Sequence, residues 1–190
     1  MPTATNSYVA FVRGINVGGK CLVNMAKLRL ALQNVGLASV QTYIQSGNIL
    51  FQSSEKDTTI LNRKVSNTIA AEFGIEAQVA TVTAPQWRKV FTQAPMWWGK
   101  DADWKHNLII LLPPTKTEEV IEAIGELNAG IEHVEAGDRV VYQSILTSAF
   151  SRSASSRLVT RPVYKHITIR NYNTSKKLAE LVVDSGMMST

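Results

Sequence analysis

Arg13-Gly14-Ile15-Asn16-Val17-Gly18-Gly19-Lys20 is the stretch whose residue types best suit the capture of an anion. Its glycines let backbone amides converge on a phosphate with no side chain in the way, while Arg13 and Lys20 supply neutralising charge. Gly14, Gly19 and Lys20 also satisfy the spacing of a nucleotide-binding P-loop, but Cys21 stands where a Ser or Thr would hold magnesium. The next helix is expected to begin near Asn24, too late for its N-terminus to cradle phosphates, and no apolar strand ending in Asp offers a second metal ligand. These departures argue against a P-loop nucleotidase and leave two readings, an anion-binding loop or a flexible connection whose glycines allow a tight path.

A second basic stretch, Arg170-Asn171-Tyr172-Asn173-Thr174-Ser175-Lys176-Lys177, lies near the C-terminus. Asn173 or Thr174 is the expected cap of a last helix, which places two lysines in its first turn. Cations there oppose the helix dipole by about 0.3–1 kcal/mol per exposed charge. A bound anion or a nearby carboxylate would offset that mismatch, and a solvated basic face is the plainer alternative. Overall charge points the same way. Lys and Arg number 20 against 15 Asp and Glu, and residues 1–150 hold 13 of each, so the whole excess of +5 sits in the last forty residues. An electrostatic partner is therefore expected to be anionic and to meet this end.

Other constellations fail on spacing. His106, His133 and His166 are scattered, so no metal site is expected, and no cofactor motif is complete. Ser46-Gly47 lacks the first glycine of a nucleophile elbow, Ile44 standing in its place. Glu118, Glu119, Glu122 and Glu126 fall on the solvated face of an amphipathic helix. Cys21 is the single cysteine and excludes an internal disulfide. Trp97, Trp98 and Trp104 could stack nucleic-acid bases, though packing at a joint between lobes fits them better. The longest strongly apolar run, Leu108–Leu112, is far short of the roughly 20 residues that span a bilayer, and a cytoplasmic location is the default.

The elements that must position these residues follow from periodicity. Tyr8–Arg13 reads as a strand, Met25–Val35 as a helix capped by Asn24, and Val40–Gln45 and Asn48–Gln52 as strands joined at Ser46-Gly47-Asn48. Ile60, Leu61, Val65, Ile69 and Phe73 stripe a second helix ending at Gly74, and Ala77–Val82 alternates as a fourth strand. The order β-α-β-β-α-β is that of the ferredoxin-like unit, two helices on one face of an antiparallel sheet. A short helix over Ala84–Thr92 and an irregular stretch lead to a looser copy: strand His106–Leu112, helix Glu118–Leu127 with Val120, Ile121, Ile124 and Leu127 inward, and strands near Ile131–Glu135 and Arg139–Ser144. A Ser/Arg-rich stretch over Ser151–Arg157 and a strand at Tyr164–Ile169 follow, with a last helix from about Ser175 to Asp184. The expectation is an α+β protein of two lobes: a ferredoxin-like βαββαβ lobe over residues 1–94, a Trp-rich connection over 95–105, and a βαββ-type lobe ending in a helix over 106–190. A ferredoxin-like sheet invites comparison with RNA recognition motifs, but their signature string is absent.

Three strings also carry a family likeness: Tyr8-Val9-Ala10-Phe11-Val12-Arg13-Gly14-Ile15-Asn16-Val17-Gly18-Gly19-Lys20, then Met25-Ala26-Lys27-Leu28-Arg29, then Thr42–Phe51. With Thr168–Thr174 and Lys177-Leu178, where Tyr172 replaces a Trp, they resemble the bacterial domain of unknown function 1697 over nearly the whole chain. The resemblance implies an α+β fold of ferredoxin-like character in a soluble bacterial protein, and implies no activity. The reading that joins these observations is a binding protein for a phosphate-bearing or other anionic ligand. Arg13, Lys20, Arg170 and Lys177 would supply charge, Ser46, Asn16, Asn48, Asn171 and Asn173 hydrogen bonds, and Gly14, Gly18 and Gly19 backbone access. The rival readings are nucleic-acid binding through the basic end and a small transferase or hydrolase on an anionic metabolite, the latter without a general base.

Overall fold

A computed structural model describes the backbone of residues 5–187 and side chains through Val182, so Asp184 of the expected last helix lies outside the described side chains. The chain divides into two compact units, one running to Arg88 and taking up the residues from Lys177, the other Lys89–Lys176.

The first unit is β1 (Asn6–Arg13), α1 (Met25–Asn34), β2 (Ala38–Tyr43), β3 (Asn48–Ser53), α2 (Thr58–Phe73) and β4 (Gln78–Thr83). Its sheet has the order β2-β3-β1-β4, antiparallel throughout, which is the ferredoxin-like arrangement. Alternation along β1 sends Tyr8, Ala10 and Val12 to one face, where Leu28 and Leu32 of α1 and Leu61, Val65 and Ile69 of α2 bury them. The opposite face carries Val9, Phe11 and Leu50, also buried, and Phe11 packs on Trp87 of α3 (Ala84–Thr92) with ring centroids 4.7 Å apart. Asn24 caps α1 by accepting from the Lys27 amide, and Gly74 ends α2 in the left-handed conformation at φ 66°.

The second unit repeats the plan with β5 (Trp104–Leu111), α4 (Thr117–Ile124), β6 (Glu132–Ala136), β7 (Val140–Leu146) and β8 (Ile167–Asn171), ordered β6-β7-β5-β8. Where the first unit uses α2 to cross its sheet, this one uses three short 3-10 helices, Thr147–Arg152, Ala154–Thr160 and Pro162–His166. The expected strand at Tyr164–Ile169 therefore starts only at Ile167. Pro162 and the Ser-rich stretch before it break any 3.6-residue stripe, and Ala154, Leu158, Val163 and Tyr164 pack from these turns beside Val120 and Ile124 of α4. Leu127 was expected inward but is exposed, because Gly125, at φ 77°, ends α4 two residues earlier. The last helix, α5 (Tyr172–Met187), begins three residues before its expected start.

Candidate functional site

Residues 16–21 fold as a miniature hairpin. The Asn16 amide donates to the Cys21 carbonyl at 3.0 Å and the Lys20 amide to the Val17 carbonyl at 3.1 Å. Gly18 and Gly19 form its tip at φ 58° and 73°, the paired left-handed conformation a two-residue turn requires. A Cβ on either, or on Gly14, would meet nothing within 4 Å, so these glycines answer to backbone conformation and the space outside the tip is open. Asn16 holds the hairpin down. Its Nδ2 donates to the Val23 carbonyl at 3.1 Å and the Gln45 carbonyl at 2.9 Å, while its Oδ1 accepts from the Val23 amide at 2.8 Å. Asn16 does this at φ 55°, a conformation that Asn tolerates better than most residues.

The turn between β2 and β3 meets this hairpin through Gln45. The Val12 amide donates to the Gly47 carbonyl at 2.8 Å, and a Cβ on Gly47 would lie 2.9 Å from Val12 Cβ. Ile44 and Gly47 take the positive φ of this turn, whereas Asn48, the last residue of the expected joint, starts β3 fully buried. Its Nδ2 donates to the Tyr43 carbonyl at 3.1 Å and Ser46 Oγ at 3.0 Å. Asn16, Ser46 and Asn48 are thus engaged in framework bonds, while Arg13 is half-buried at the end of β1 and Lys20 is exposed. The α1 helix starts four residues beyond Cys21, so the loop has no helix N-terminus directly behind it.

In the second unit Arg170 lies on β8 with 7% exposure, and its Nη1 donates to Thr168 Oγ1 at 2.8 Å and the Ile169 carbonyl at 2.9 Å. Burial pushes the guanidinium down to about 10, which leaves it charged at neutral pH. Asn171 is the cap of α5, its Oδ1 accepting from the Thr174 amide at 2.8 Å, so the cap falls two residues before Asn173 and three before Thr174, and Lys176 and Lys177, expected in the first turn, lie beyond it. Asn173 is exposed, and Lys177 pairs with Glu180 at 3.1 Å. Tyr172 sits in an aromatic nest beside Phe91, Trp98 and His106, with its ring where a Gly99 Cβ would come within 2.3 Å.

Sequence reasoning missed two polar devices. Glu132, 4% exposed, accepts from the Asn128, Ala154 and Ser155 amides and the Ser155 hydroxyl at 2.7–3.0 Å. Burial alone would raise its carboxyl, but these four donors outweigh it and hold the group below the ordinary glutamate range. His106 bridges the Asp101 carbonyl at 2.7 Å through Nε2 and Ser144 Oγ at 2.6 Å through Nδ1. A carbonyl can only accept, so Nε2 donates to Asp101, and the Ser144 hydroxyl bonded to Nδ1 is 1% exposed, which leaves no access for a substrate. The parity of β6 carried a signal for Glu132, which shares its face with Val134; nothing comparable marked His106.

Trp97 and Trp104 stack on either side of His133, with centroids 5.3 and 4.9 Å away. Trp98 is buried and donates from Nε1 to the Asn107 carbonyl at 2.9 Å. Among the described residues there is no cluster of metal-ligating side chains and no helix long and apolar enough to cross a membrane.

The chain belongs to the family described as Protein of unknown function (DUF1697), whose model matches residues 5–142, from β1 into β7. Its fold is similar to that of a conserved bacterial protein from Streptococcus pneumoniae, 29% identical, with a TM-score of 0.84 over 94% of this chain and 99% of that one. A protein of unknown function from Galdieria sulphuraria aligns over 88% of this chain and 98% of its own at 14% identity, with a TM-score of 0.26. No curated protein matches the sequence.

Proposed function

We propose that this chain is a binding protein that takes up a phosphate-bearing or other anionic ligand at the Arg13–Lys20 hairpin of its first unit. The observation carrying this reading is the over-determined conformation of the loop. Gly14, Asn16, Gly18, Gly19 and Cys21 all have positive φ, and Asn16 is tied to Val23 and Gln45 on either side. Glycine takes this conformation freely and asparagine nearly so, so the steric cost falls at Cys21, and conformations that cost energy persist where the surrounding structure enforces them, as at ligand clamps. Electrostatics agree: no carboxylate side chain precedes Glu55 in sequence, and Lys20 and Arg29 are exposed, while Lys27 is paired with Glu72 at 2.7 Å. Preorganised backbone and clustered charge reduce the ordering that binding must otherwise pay for.

The test is a titration with inorganic phosphate, pyrophosphate and nucleotides, with and without magnesium, followed by backbone amide shifts and by thermal unfolding. A ligand at a hundred times its dissociation constant adds about 2.7 kcal/mol of stability. Shifts at residues 14–21 that vanish in Lys20→Ala support the reading, while the same stabilisation in Lys20→Ala refutes a site at this loop.

A further inference from the structure

The hairpin presents apolar as well as cationic side chains. Val17 is 67% exposed, Leu22 70% and Ile44 50%. Each adjoins in sequence a member of the Asn16 hydrogen-bond hub: Val17 follows Asn16, Leu22 precedes Val23, and Ile44 precedes Gln45. Consecutive Cα atoms are about 3.8 Å apart, so the hub gathers their three backbone positions, whereas exposed aliphatics usually occur singly along a surface. Ile44 adds a second observation. It is β-branched yet stands at φ 50°, where only glycine and asparagine are comfortable, and with half its surface exposed it gains little from packing.

We infer that the anionic ligand of this loop is a segment of another polypeptide, one that carries acidic side chains next to an aliphatic or aromatic one. This inference rests on the proposed anion-binding role of the same hairpin and names the class of its ligand. The acidic side chains face Arg13 and Lys20, and the apolar side chain covers Val17, Leu22 and Ile44. Complementarity of charge favours this partner, since residues 1–54 contain basic side chains and no acidic one. A free phosphate would use the cations and leave the three aliphatic side chains in water.

The test uses the full chain, labelled for amide spectra, with two capped hexapeptides of equal charge, EELFEE and EESSEE. Binding of EELFEE about tenfold tighter than EESSEE is expected, the gain from covering the three aliphatic side chains in part, with shifts confined to residues 14–22 and 44–47. In Val17→Ser/Leu22→Ser, whose side chains are exposed and leave the core intact, EELFEE should fall to the level of EESSEE. Equal binding of the two peptides overturns the inference and leaves the anion-binding role standing, whereas no response to either peptide or to inorganic phosphate removes both. Co-sedimentation with phosphatidylserine vesicles that is lost in the double variant, in the absence of a peptide response, also overturns it in favour of a lipid surface.

Discussion

Replacing Asn16 by Ala removes a side chain that ties the hairpin to the segments at Val23 and Gln45, and the cost can be worked from its contacts. The two bonds with Val23, at 2.8 and 3.1 Å, are partly buried, and each is worth about 1 kcal/mol net. The bond to the Gln45 carbonyl at 2.9 Å is exposed and contributes about half as much. Alanine must also hold φ 55°, which adds about 1–2 kcal/mol of backbone strain. The total is about 3.5–4.5 kcal/mol. Asn16→Gly loses the same bonds without the strain and should cost about 1–2 kcal/mol less than Asn16→Ala. In a chain of this length 1 kcal/mol moves the melting temperature by roughly 2–4 °C, so Asn16→Ala should melt about 7–18 °C lower. Amide exchange at Lys20 and Val23 should speed up in both variants, because both amides are held by bonds this hub supports. Both variants melting within a degree of the parent, with exchange unchanged, would refute the claim that Asn16 builds the loop.

Three further outcomes test the second unit and its turns. Glu132→Gln should destabilise by about 1–3 kcal/mol at neutral pH, because an amide oxygen is a weaker acceptor and the NH2 that replaces either carboxylate oxygen faces a backbone N–H, another donor. Since the folded carboxyl is held below its unfolded value, the parent keeps this stability above about pH 4.3 and loses it as pH falls through the folded pKa, whereas urea midpoints of the Gln variant should fall less over that acid range. Tyr142, 2% exposed, donates to the Val90 carbonyl at 2.7 Å and is pushed up to about 12 by burial, with Glu135 and Asp138 adding to the effect. Its contribution is therefore intact below pH 10 and lost as pH rises from there toward 12, and Tyr142→Phe should cost about 1–2 kcal/mol at neutral pH while flattening that alkaline loss in denaturation curves. Gly99→Ala should cost more than about 2 kcal/mol by calorimetry, since its Cβ would come within 2.3 Å of the Tyr172 ring at a residue already at φ 78°.

The first unit was largely legible because its signals are local. A capping Asn24, a terminating Gly74, the Leu61, Val65 and Ile69 stripe on α2, from which Ile60 is left exposed, and β1 alternation each state one element without help from distant residues. The second unit was harder to read where tertiary packing replaces periodicity. The crossing from β7 to β8 is held by Glu132 accepting amides that are 22 and 23 residues away, and no window of sequence contains both sides of that bond. The same limit applies at the site. Asn16 and Asn48 have the chemistry of ligand-binding residues, and only the neighbours at Val23, Gln45 and Tyr43 show that their amides hold turns. Exposed Val17, Leu22 and Ile44 look like core residues in sequence, and their convergence depends on a hub joining residues 16 and 45.

Ile44 then separates stability from function. A β-branched residue at φ 50° carries strain of about 1–2 kcal/mol, and its half-exposed side chain recovers only part of that. Asparagine suits the left-handed region and would remove most of the strain, so Ile44→Asn should stabilise the chain by about 0.5–1 kcal/mol in urea denaturation. If the aliphatic patch serves binding, the same change weakens EELFEE while leaving EESSEE untouched, the trade expected where a strained residue is kept for contact with a partner. Destabilisation by Ile44→Asn would instead show that the isoleucine is retained for packing within the first unit, and its backbone conformation would then carry no argument about a ligand.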